Sequence, residues 1–96
     1  MGKVKPLIDR IMELDSYSDE EDIYAEKPWS PKSPSIVVDR PETLDIPEEA
    51  ISKGMTYFIA AFIAREFLKD WVEMQNYESS LQEQCERLIQ YAIHDA

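Results

Sequence analysis

The sequence predicts an α+β fold: an N-terminal helix, a small three-stranded sheet and two C-terminal helices packed on one face of that sheet. An amphipathic segment opens the chain, and two short segments of strand character follow it. An apolar strand that leads into a helix then precedes a last helical stripe, which is an order typical of layered α+β domains. With 96 residues, the chain is expected to form one domain, 1–96.

The first predicted element is a helix over residues 3–14. Pro6 is expected in its first turn, where a missing N–H removes no hydrogen bond. The stripe expected to be buried comprises Val4, Leu7, Ile8, Ile11 and Met12. The residues expected to face water are Asp9, Arg10 and Glu13.

An acidic turn is expected over residues 16–22, between this helix and the first strand. Its four consecutive carboxylates are Asp19, Glu20, Glu21 and Asp22. Such a run repels itself and stays hydrated, and it lacks the spacing and glycine of a calcium loop. The run is therefore either a plain solvated turn or a contact surface for lysines and arginines of a partner.

Two strands are predicted at residues 23–26 and 35–38, and they could pair antiparallel across a proline-rich loop. Trp29 lies in the middle of that loop. A tryptophan in polar surroundings either folds back over the core as a lid or stands out as an interface anchor. Both interpretations of Trp29 stay open at this point.

A short helix is predicted to begin near Pro47 and to end before Gly54. The most apolar run of the chain, 54–71, is interpreted as a central strand, 55–60, that turns near residues 61–62 into a helix reaching about Gln75. One continuous helix from Met55 is the alternative.

The last helix is predicted to begin at a capping box of Ser79 and Gln82. Its expected apolar stripe comprises Leu81, Cys85, Leu88, Ile89, Ala92 and Ile93. Glu83 and Arg87 are expected to form an i, i+4 pair on its outer side.

The net charge argues against two classes of partner. The chain has 20 acidic and 10 basic residues and a net charge of −10, which disfavours nucleic acid and anionic membranes. It favours a basic protein partner, or else it only keeps the protein dissolved. The single cysteine, the lack of a signal-peptide pattern and the lack of a membrane-spanning run predict a cytoplasmic protein.

The sequence offers little catalytic chemistry. His94 and Cys85 have no metal-site spacing, and two glycines leave little room for a phosphate-binding loop. Cys85 lies on an apolar stripe, which is typical of a buried and inert thiol. We expect no catalytic site, no cofactor and no metal, although a carboxylate pair for acid–base chemistry is a further alternative.

Several short motifs occur in order along the chain: Ile23-Tyr24, Trp29, Ile36-Val37-Val38-Asp39, Gly54-Met55-Thr56-Tyr57, Gln75 with Ser79, and Tyr91 followed by Asp95-Ala96. In this order they resemble a family of small acidic bacterial domains of uncharacterised function. Some members of that family resemble immunity proteins of contact-dependent growth inhibition and related toxin systems. The resemblance implies a protein that neutralises a cognate toxin domain, and many such toxins are basic nucleases.

The predicted function is therefore binding and occlusion of a basic toxin domain. The candidate partner-binding residues are Asp19, Glu20, Glu21, Asp22, Trp29, Asp39 and Glu42. The alternatives are a small acidic adaptor and a subunit of a homo-oligomer.

Overall fold

A computed structural model describes residues 3–40 and 46–95 and shows an α+β fold with a four-stranded antiparallel sheet. Its elements in order are β1 Lys5–Pro6, α1 Leu7–Met12, a 3₁₀ turn Leu14–Ser16, β2 Glu21–Ala25, β3 Pro34–Asp39, α2 Glu48–Ser52, β4 Thr56–Ala60, α3 Ala61–Met74 and α4 Leu81–Asp95. The fold class is confirmed, and the sheet has one strand more than predicted because Lys5 and Pro6 join it.

The strand order is β1-β3-β2-β4 among the described residues. The predicted antiparallel pair is confirmed, with Tyr24 opposite Ile36 across β2 and β3. β4 is an edge strand, so its interpretation as a central strand is wrong. Only Phe58–Ala60 are buried, whereas Thr56 and Tyr57 are exposed. Overall apolarity did not distinguish a strand covered along its length from one covered over its last three residues.

The first helix begins at Leu7, four residues later than predicted. Lys5 and Pro6 are extended and pair with β3. The first N–H groups of a helix have no partner within the helix, and here they find partners outside it. Leu7 N donates to Ser33 O at 2.8 Å and Ile8 N donates to Pro31 O at 2.9 Å, which explains why α1 begins at Leu7. The proline-rich loop therefore supplies the acceptors that cap α1.

The apolar run 54–71 divides where the sequence predicted. β4 ends at Ala60 and α3 begins at Ala61 without a connecting loop. This confirms the strand-to-helix interpretation and rules out one continuous helix from Met55. α3 ends at Met74, within one residue of the predicted end.

Gly54 ends α2 in the way the sequence predicted. Its φ is +69°, a conformation that glycine adopts without strain. Gly54 N donates to Ile51 O at 3.1 Å and Met55 N donates to Ala50 O at 2.9 Å. These two bonds form a Schellman motif, which satisfies the last carbonyls of the short helix.

Two apolar clusters lie on the two faces of the sheet. The main cluster includes Ile23 and Ala25 from β2 together with apolar residues of α1, α3 and α4. The smaller cluster comprises Tyr24, Ile36, Ala50 and Met55, with Val38 packed against it. α4 packs on α1 and α3, so α1, α3 and α4 form one layer, whereas Ala50 of α2 belongs to the smaller cluster.

Two arginines are placed differently from the sequence prediction. Arg10 was expected to face water but is only 5% exposed. Its Nη2 donates to Ser35 O at 2.9 Å and its Nε donates to Ser35 Oγ at 3.1 Å. The helical period of the run 54–71 places Arg65 on the polar face of α3, yet it is half-buried and donates to Leu14 O and Tyr17 O. Both guanidinium groups satisfy oxygens of neighbouring elements, which helical periodicity cannot show.

The capping box of α4 lies one residue later than predicted. Ser80 N donates to Glu83 Oε1 and Glu83 N donates to Ser80 Oγ, both at 3.1 Å. Glu83 also accepts a bond from Tyr77 Oη at 2.7 Å. Arg87, its expected partner, instead lies over the Phe67 ring at 5.3 Å. Ser79 is buried and bonded by Gln84.

Candidate partner-binding surface

One end of the β2–β3 hairpin gathers most of the predicted site residues. Glu21, the first residue of β2, lies opposite Asp39, the last residue of β3. Asp19 and Glu20 precede Glu21 directly, and both are exposed. We call these four residues, Asp19, Glu20, Glu21 and Asp39, the acidic end.

Asp22 does not belong to the acidic end. Because successive side chains of a strand point to opposite faces, Asp22 turns away from Glu21, and it is only 4% exposed. Arg40 donates to its carboxylate through Nη2 at 2.9 Å and through Nε at 3.2 Å. These bonds from Arg40 to Asp22 raise the pKa of the guanidinium. The predicted solvated turn is thus wrong for Glu21 and Asp22, which belong to β2.

The acidic end is only partly neutralised by neighbouring cations. Arg65 pairs with Asp19, whose side chain is nevertheless 80% exposed. Glu21 Oε1 accepts a bond from Ser18 N at 2.8 Å, which is a neutral donor. Across residues 3–40 and 46–95, no ion pair involves Glu20, Glu21 or Asp39. Three carboxylates of this end therefore remain available to an external cation.

Trp29 lies at the other end of the same hairpin. β2 runs between the two ends, and the four steps from Glu21 to Ala25 correspond to about 13 Å at the usual strand rise. Trp29 Nε1 donates to Ala25 O at 3.2 Å, and the indole meets the Phe58 ring edge-on at 4.9 Å. Trp29 therefore folds back onto the core, as the lid interpretation predicts, and stays half-buried. Glu42 lies outside the described residues.

The structure adds a cleft that the sequence analysis missed. The loop carrying Trp29 and Pro31 faces Trp71 of α3 and the outer side of α4, and the space between them measures about 530 Å³. The α4 residues that line it are Glu83, Glu86, Arg87, Ile89 and Gln90. We call this space the tryptophan cleft. The signal in the sequence was a tryptophan in each of two distant segments, Trp29 and Trp71. Nothing in the sequence showed that the two lie together.

A second depression separates α1 from α3. Ile11, Leu14 and Leu68 are buried residues along it, and Met12 and Val72 lie at its rim, 63% and 36% exposed. Its volume is about 640 Å³. We call it the α1–α3 groove. Met12 was expected to be buried, but it is the last residue of α1 and is exposed.

The described residues offer little to a catalytic reaction. Within them, no cluster of histidine, cysteine and carboxylate side chains could hold a metal ion. Burial raises the pKa of the Cys85 thiol to about 12, so the group is protonated and a poor nucleophile at neutral pH. His94 is exposed near the end of α4.

Comparisons with known proteins give no family. No protein-family model matches the chain, and no curated protein and no solved structure matches it either. Within the described ranges, no helix combines the length and the apolarity needed to cross a membrane.

Proposed function

We propose that this protein binds a basic bacterial toxin domain, of nuclease type, and neutralises it by occlusion, as immunity proteins do. The acidic end is the surface that would meet the toxin. The net charge of −10 supports a basic partner. The resemblance to a family of small acidic bacterial domains, some members of which resemble immunity proteins, suggests which kind. The alternatives of a nucleic acid or an anionic membrane are disfavoured by the same charge.

The observation that carries the proposal is the pairing of Glu21 with Asp39. Two residues directly opposite each other on antiparallel strands lie close, and like charges there destabilise the sheet by up to about 1 kcal/mol. Glu20 adds a third carboxylate at the same end. A cationic partner would relieve this repulsion, and the free energy gained by its relief would add to binding. The same repulsion lowers the stability of the free protein.

The acidic end is expected to affect the association rate more than the affinity. Exposed charge pairs are individually worth about 0–1 kcal/mol, so the acidic end would mainly steer the partner and accelerate association. Tight binding needs a desolvated centre with large side chains as well. The acidic end alone therefore predicts an association rate that falls steeply with salt.

The experiment begins with partners retained by the protein from its native host at low salt. A retained basic protein is then purified, and its toxicity is measured with and without this protein. The test variant is Glu21→Gln with Asp39→Asn. The control is Asp70→Asn with Glu73→Gln, which makes the same charge change on exposed positions of α3.

The proposal predicts that the test variant loses protection and associates about ten-fold more slowly at low salt, because steering is removed. The control should still protect against the toxin and should associate at close to the wild-type rate. Equal association rates for the two variants at every salt concentration would refute a role of the acidic end.

Self-association is the second candidate function, and the α1–α3 groove favours it. Met12 and Val72 expose apolar surface at its rim, which a second copy could cover. The charge of −10 on each copy opposes this. Sedimentation at low and high salt tests the alternative, since a dimer at both salt concentrations would favour an oligomeric role.

A further inference from the structure

We propose that the tryptophan cleft binds an arginine side chain of a protein partner. This inference rests on the proposed function, because the arginine would come from the basic partner. It adds a contact site distinct from the acidic end. The cleft lies at the Trp29 end of the β2–β3 hairpin, and the acidic end lies at the opposite end.

The walls of the cleft have the chemistry that a guanidinium group requires. Trp29 and Trp71 line it, and an arginine binds well against the face of an indole. Glu83 and Glu86 lie on the α4 side, and a carboxylate can accept two parallel bonds from one guanidinium group. A volume of about 530 Å³ falls within the usual range of ligand sites.

The carboxylates are not equivalent. Glu83 already accepts bonds from Tyr77 and from the backbone N–H of Ser80. Glu86 is exposed, and no described residue donates a hydrogen bond to it or forms an ion pair with it. Glu86 is thus the carboxylate available to a ligand, and Glu83 adds a nearby negative charge.

One ring of the cleft already accepts a cation of the protein itself, because Lys27 Nζ lies 5.0 Å from the centre of the Trp29 ring. The Arg87 guanidinium lies over Phe67, which is outside the cleft. Arg87 also lines the cleft, so the charges of Glu83, Glu86, Arg87 and Lys27 cancel around it. Selection for a cation therefore depends on the Glu86 carboxylate, and the indoles select against a strongly hydrated ligand.

The chain suits a direct test, because both of its tryptophans line the cleft. The ¹⁵N–¹H spectrum therefore contains two indole signals, which Trp29→Phe and Trp71→Phe variants assign. The probe is the peptide acetyl-Gly-Arg-Gly-amide. The matched neutral probe carries citrulline in place of arginine.

We expect the arginine peptide to shift both indole signals saturably and the citrulline peptide to leave them nearly unchanged. Glu86→Gln should weaken arginine-peptide binding about five-fold, through loss of a charge-assisted bond. Glu66→Gln should not change it, because this exposed glutamate of α3 lines the α1–α3 groove instead.

Three results would overturn the inference: equal shifts with both peptides, no effect of Glu86→Gln, or unmoved indole signals at saturating arginine peptide. If the peptide moves the backbone signals of Glu20, Glu21 and Asp39 while the indoles stay in place, the cleft is refuted and the proposed function stands. If the indoles respond but no toxin is neutralised, the cleft stands and the proposed function fails.

Discussion

Arg10 should be the most sensitive charged residue of the chain, and Arg10→Ala is the variant that shows it. The side chain is 5% exposed and joins three segments through the carbonyls of Lys3 and Ser35 and the hydroxyl of Tyr17. Its loss would remove the bonds that join Lys3, Tyr17 and Ser35 through α1.

The size of the effect follows from the groups that lose a donor. Ser35 is fully buried, so its carbonyl would remain without the bond from Nη2, and an unsatisfied buried acceptor costs about 1–3 kcal/mol. The lost contacts of the arginine stem add to this. Because alanine carries no charge, the variant also avoids the cost of burying the guanidinium group, which offsets part of the loss. The net expectation is a loss of about 3 kcal/mol, out of a total stability of about 5–15 kcal/mol.

Urea unfolding followed by far-ultraviolet circular dichroism measures the difference directly. Arg10→Lys should recover only part of the stability, because one ammonium group cannot reach acceptors on three segments. Lys69→Ala, at an exposed position of α3, is the control and should stay within about 0.5 kcal/mol of wild type. A loss below about 1 kcal/mol for Arg10→Ala would contradict the argument that Arg10 holds these segments together.

Three further predictions concern the helices. Gly54→Ala should destabilise the protein by about 1–2 kcal/mol, because φ is +69° although no atom lies within 4 Å of an added Cβ; equal urea midpoints would contradict this. Cys85 should resist a thiol reagent at pH 8 until urea unfolds the protein, since burial raises its pKa to about 12; fast labelling of the native state would contradict it. Bonds from Tyr77 and Ser80 lower the pKa of Glu83 below its ordinary 4.5, so its stabilising contribution is present above pH 4.5 and is lost as the pH falls through the lowered value. Glu83→Gln should therefore flatten the stability profile below pH 4.5, whereas an unchanged acid limb would show that the capping box does not bind the ionised carboxylate.

Local signals in the sequence were enough for much of the fold. The β-branched run 35–38 and the apolar stripe that includes Leu88 identified their elements, because each signal repeats over several residues. Gly54 identified the end of α2 because few other residues adopt its conformation. The edge position of β4 could not be predicted, since strand order depends on contacts between segments distant in sequence. The same holds for Arg10, whose acceptor Ser35 lies 25 positions later.

The candidate site was less predictable. The run 19–22 appeared as one acidic surface, but strand pairing divides it, because Asp22 is buried beside Arg40. Asp39 was named from its place after a strand, and its position opposite Glu21 required the register of β2 and β3. The tryptophan cleft depends on three segments, so no single stretch of sequence could indicate it.

The contact between α1 and α4 has a consequence for folding. Leu7 and Ile11 share one core with Leu88, which brings together segments from near the two ends of the described chain. Closing so long a chain segment must precede the gain from burial, and such topologies fold more slowly than those held by local contacts. During synthesis, α1 can bury its apolar face completely only when α4 has emerged, although it also contacts β1 and β3. Assembly of the core is then a late and cooperative event.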